Sequence, residues 1–158
     1  MPPTETRAFA HRVRLNLEAI DAVVTVAPAK AHQVTQLVLT LLGLLVLPNE
    51  AYYLQAAGEK SMTELADQGW PSWSIAKDLS RRPGNSTDTL ADLLWHLRSV
   101  VASGQIRMTA GNKPFKDVSV YFDQKVAGRD IKTWSASISA PDLRVFCLKL
   151  AELIARED

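Results

Sequence analysis

The run from Leu37 to Leu47, interrupted only by Thr40 and Gly43 and closed by Pro48, constrains this chain more than any other feature. Its 11 residues are too few to cross a bilayer, which takes about 20. They are too apolar for an exposed surface element. The run therefore predicts a helix from near His32 to Leu47, stopped by Pro48, which cannot continue it. Being apolar almost all round, it is expected to be the central and most buried element. The rest of the chain must supply a core around it. With 158 residues, of which 47% are hydrophobic and 22% charged, the sequence suits one globular domain over 1–158 and neither a rod nor a disordered tract.

Three further long helices follow from periodicity and capping. Phe9, Val13, Leu17, Ile20 and Val24 keep the 3.6-residue period of a first helix, which starts after Thr4 as N-cap and ends before Pro28. A third long helix runs from about Ser86 or Thr87 to Ala102, with Ser86, Thr87 and Thr89 as candidate caps and Gly104 past its end. The last opens at Ser139-Ala140-Pro141-Asp142 and carries the stripe Leu143, Phe146, Cys147, Leu150 and Ile154. A short turn of helix is expected over Glu50 to Ala56.

Residues 58–86 read as a loop-rich excursion holding short helices, Met62 to Asp67 foremost, with Trp70 and Trp73 pinning it to the bundle. Between the last two long helices the period falls to two. Ile106 and Met108, then Val118, Val120 and Phe122, then Ile131 to Ile138 describe a small antiparallel β meander over about residues 105–138. The fold class is mainly α: about four long helices with a meander before the last.

Many chemistries have no representative. One cysteine, Cys147, rules out an internal disulfide framework. It falls on the apolar stripe of the last helix, where an inert buried thiol is expected. His11, His32 and His96 show no metal-ligand spacing, so no metal and no cofactor are expected. No glycine-rich phosphate loop and no nucleophile elbow occur. The N-terminal residues show no basic-then-apolar leader, and with the lone cysteine this points to the cytoplasm, with no membrane partner.

The most informative segment is Leu94-Trp95-His96-Leu97-Arg98-Ser99-Val100-Val101-Ala102-Ser103-Gly104. On an ideal wheel Leu90, Leu93, Leu94, Leu97 and Val101 share a core-facing arc. Ala91, Trp95, Arg98 and Ala102 form a second stripe, suited either to a second chain or to a neighbouring element of the same chain. His96 lies about 160° from Arg98, beside Asp92, which predicts an i,i+4 pair between His96 and Asp92.

With Gln36 and Leu41 to Glu50, His96-Leu97-Arg98 to Ala102-Ser103-Gly104, and Trp134 with Ser139 to Arg144, the sequence resembles the HEPN superfamily, and within it a bacterial, often plasmid-encoded subgroup. The resemblance implies a helical bundle that dimerises through the helix carrying Trp95 and Arg98. It also implies a metal-independent ribonuclease motif, Arg-x4-6-His, shared across the dimer. Arg98 matches the family arginine and Ser99 the polar position after it. Ser103 stands where the histidine belongs, a departure that weighs against an enzyme. Histidine titrates near neutrality and a serine hydroxyl does not; loss of a general acid–base group costs about 10²–10⁴-fold in rate. His96 is the remaining histidine on this helix that could replace it.

The 18 basic and 17 acidic side chains give a net charge of +1, without the cationic excess of a broad nucleic-acid surface. Arg107, Lys113, Lys116, Arg129 and Lys132 are the candidate phosphate-binding residues. Three functions stay open: a catalytically degraded dimeric module binding RNA, a nucleotide or a partner protein, with a link to toxin or defence systems; a ribonuclease toxin using Arg98 with an unorthodox proton acceptor; and an accessory subunit of an active HEPN protein.

Overall fold

The protein is described by a computed structural model, which places residues 3–26, 32–48, 55, 57–78, 87–109 and 113–156. Among these residues there are five α-helices: α1 (Pro3–Val26), α2 (Gln33–Val46), α3 (Met62–Asp67), α4 (Leu90–Ala102) and α5 (Ala140–Ala155). Four strands, β1 (Ser74–Asp78), β2 (Ile106–Met108), β3 (Ser119–Lys125) and β4 (Lys132–Ser139), form one antiparallel sheet in the order β1-β4-β3-β2. The expected turn over Glu50 to Ala56 lies almost entirely outside the described residues, as does Ser86.

The helix starts follow from short polar side chains that satisfy otherwise unpaired N–H groups. Ser61 and Glu64 form a complete capping box at α3, as do Thr89 and Asp92 at α4. At α5 the Ser139 hydroxyl accepts from the Asp142 N–H and donates to its carboxylate at 2.6 Å. The first helix begins two residues earlier than expected, at Pro3, so Thr4 is its second residue rather than its cap. The α3 and α4 starts are also tied to each other. Met62 N–H donates to the Asp88 carbonyl and Leu90 N–H to the Lys60 carbonyl, both at 2.9 Å.

Two expectations need correction. Residues 58–86 hold a strand as well as a short helix: β1 pairs with β4, with a register shift between Ile75 and Lys77. Ser-Ile-Ala-Lys-Asp has no sustained alternation, so pairing with a distant strand decides its conformation rather than its own pattern. The second correction concerns α2. It buries Leu37, Thr40, Leu41, Leu44 and Leu45, but Leu39 and Leu47 are about half exposed. The hub is α5, which packs against α1, α2 and β4. Arg144 of α5 binds both carboxylate oxygens of Asp21 on α1. Gly43 lets α1 approach α2: a Cβ there would meet the Phe9 ring at 2.9 Å.

The sheet covers one side of the bundle. Val118, Val120, Phe122, Trp134, Ala136 and Ile138 alternate inward and are buried. The excursion is held as expected: Trp70 packs edge-on against Phe146 at 5.6 Å, and Trp73 packs against both Phe122 and Phe146. No helix among the described residues is long and apolar enough to cross a membrane.

Candidate functional site

Every member of the α4 core arc, Leu90, Leu93, Leu94, Leu97 and Val101, is buried. This anchors the helix rotationally and leaves two polar stripes to define the site. One carries Ala91, Trp95 and Arg98, all half-buried, with Ala102 exposed. The other carries Asp92, His96, Ser99 and Ser103.

His96 is not at the surface. It is 1% exposed and stacked on Trp134, with ring centroids 4.6 Å apart and planes 3° from parallel. Trp95 meets it edge-on at 4.9 Å. Its Nδ1 lies 2.8 Å from Gln124 Oε1, an oxygen that accepts the ring proton. Gln124 Nε2 then donates to Ser99 Oγ at 3.4 Å. His96 thus pairs across to β3 through Gln124. Asp92 turns to the Thr89 cap, where its carboxylate accepts from the hydroxyl at 2.7 Å and the N–H at 3.2 Å. Trp134 is itself fixed, its Nε1–H donating to Thr87 Oγ1 at 2.9 Å.

The end of α4 explains Ser103. Gly104 takes φ +68°, a left-handed conformation that glycine adopts without strain. Its N–H bonds the Val101 carbonyl and the Gln105 N–H bonds the Val100 carbonyl, which is a Schellman stop. Ser103 is the C-cap, and its hydroxyl donates back to the carbonyls of Ser99 and Val100 at 2.8 and 3.1 Å. The side chain is turned onto its own helix.

Two of the candidate phosphate-binding residues share one carboxylate. Arg107 and Lys132 both meet Asp123, at 2.8 and 3.0 Å, and Ser135 donates to the same carboxylate. Burial alone would raise the Asp123 carboxyl, but the bonds from Lys132, Arg107 and Ser135 outweigh it and hold it below its usual 3.8. Arg107 also lies over the Tyr121 ring at 5.2 Å. Lys113 lines a shallow pocket at the start of α2, Lys116 sits on a short 3₁₀ turn, and Arg129 lies in the exposed β3–β4 turn. No group of three or more metal-ligating side chains forms among the described residues.

Trp134 stood among the residues that carry the family resemblance, without a contact to His96, and Gln124 was not singled out from sequence. A signal existed for Gln124: Val118, Val120, Phe122 and Gln124 share the inward register, and an amide at a core-facing position must find partners.

A family model described as HEPN pEK499 p136 matches residues 1–158. The chain belongs to this HEPN family. No curated protein and no solved structure matches it. Arg98 is half-buried and Ser99 exposed. Ser103 caps the end of the helix, and His96, the one histidine on it, is sealed beneath Trp95 and Trp134.

Proposed function

We propose that the protein is a HEPN module that binds and does not cut: a catalytically degraded dimer whose Arg98 surface takes RNA, a nucleotide or a partner protein, in the setting of a toxin or defence system. One observation carries this reading. Ser103, which takes the histidine position in the resemblance, is the C-cap of α4, and its hydroxyl donates to the helix end. A guanidinium can hold a phosphate by charge-assisted hydrogen bonds. It cannot take the proton from a 2′-hydroxyl, because it stays protonated.

The test is an RNA-cleavage assay on the purified protein beside its Ser103→His variant. The wild type should leave RNA intact. The variant should gain cleavage by about 10²-fold or more, the usual contribution of a general base. Cleavage by the wild type that Arg98→Ala abolishes would overturn the reading. It would favour the alternative of an active ribonuclease with an unorthodox acceptor, which retention of Arg98 beside exposed Ser99 supports. Growth arrest on expression, lost in Arg98→Ala, would point the same way.

A further inference from the structure

Between α3 and the C-terminal half of α5 lies a cleft of about 310 Å³ that does not include Arg98. Lys60, Lys149 and Arg156 reach it, against the one carboxylate of Glu152. Trp70 and Leu153 supply an apolar wall. The cations are set by the fold. Lys60 precedes the Ser61 cap, and the nearby Glu64 carboxylate is already bound to the Ser61 N–H and hydroxyl at 2.8 and 2.9 Å. Lys149 Nζ donates to the Gln68 carbonyl at 3.0 Å, which holds the ammonium in place and leaves two N–H donors. Trp70 is fixed by its edge contact with Phe146 and by its N–H bond to the Leu65 carbonyl at 2.9 Å. Between them Gly69 turns at φ +76°, a conformation that favours glycine.

Three cations around one opening suit a doubly charged anion, and Arg156 adds a fork that can take two oxygens at once. The volume is at the small end for ligand sites, which favours a small molecule over a nucleic-acid strand. We propose that this cleft binds a small phosphate monoester, with the dianion between Lys60, Lys149 and Arg156 and the planar or apolar part on Trp70 and Leu153. The site goes beyond the Arg98 reading and stands or falls independently of it.

Phenyl phosphate titrated into the full chain, followed by the NMR signals of the Trp70 indole and the Gly69 amide, tests it. Saturable shifts are expected, with a Kd below about 1 mM. Inorganic phosphate, lacking the ring, should bind about tenfold more weakly. Lys60→Gln and Arg156→Gln should each weaken phenyl phosphate about tenfold, the usual loss for one charge-assisted bond. Neither side chain holds the backbone, so folding is preserved, and unchanged circular dichroism verifies it. Arg98→Ala should leave the affinity unchanged. Shifts that stay linear in ligand, an affinity unaltered in the Lys60→Gln/Arg156→Gln double variant, or loss of binding in Arg98→Ala would each overturn the proposal.

Discussion

Replacing His96 by Phe separates a structural histidine from a catalytic one. The ring is 1% exposed, stacked on Trp134 and bonded at 2.8 Å to Gln124. Phenylalanine preserves the stack and the volume and removes the hydrogen bond. A bond of this kind contributes about 0.5–1.5 kcal/mol, and an acceptor left unsatisfied in the interior costs about 1–3 kcal/mol. Gln124 is only half-buried and water reaches part of it, so the lower range applies and the expected loss is about 1–2 kcal/mol. For a chain of this length that lowers the melting temperature by about 3–6 °C.

Adding Gln124→Leu removes the orphaned amide together with its partner. The double variant should recover about 1 kcal/mol relative to the His96→Phe single variant. Urea unfolding followed by far-ultraviolet circular dichroism, with all four corners of the cycle measured, gives the coupling directly. An unchanged slope in urea would show that only stability moved. A coupling within about 0.3 kcal/mol of zero would refute the reasoning, because a contact between 96 and 124 cannot then be what positions the ring.

Three other outcomes follow from the same geometry. Asp123→Asn should cost about 1–2 kcal/mol at neutral pH, a modest figure because Arg107 and Lys132 remain largely in water. The lowered Asp123 pKa stabilises the fold fully above 3.8, and that contribution is lost as pH falls through the folded value. The variant's stability should therefore fall less than the wild type's on acidification below pH 4, as measured by urea midpoints. Burial raises the Cys147 thiol to about 12, so a thiol reagent at pH 8 should react only as the protein unfolds; prompt labelling of the native protein would contradict this. Thr89→Ala removes the α4 capping box and should cost about 1 kcal/mol in calorimetry, and no loss would mean that the cap is redundant with tertiary packing.

Local rules made the helices readable. Ser61, Thr89 and Ser139 sit one residue before three helix starts, and the core arc of α4 is buried at all five expected positions. Met62 to Asp67 is helical as the sequence suggests. What stayed hidden depends on long-range neighbours. Ser74 becomes β-structure through Ser137, and His96 finds Gln124. Neither partner is visible in the wheel of one helix or the pattern of one strand. The exposure of Leu39 is of the same kind, since burial of an apolar helix depends on how many neighbours surround it. Within the candidate site, the position of Ser103 at the helix end was legible from Gly104, while the sealing of His96 was not.

The paired bonds that join Lys60–Met62 to Asp88–Leu90 have a consequence for how this family can vary. They tie the start of α3 to the start of α4. Loop-closure entropy rises only slowly with length. The span between Lys60 and Leu90 should therefore tolerate a change in its length better than the loss of either bond, because the bonds fix where the Arg98 helix begins.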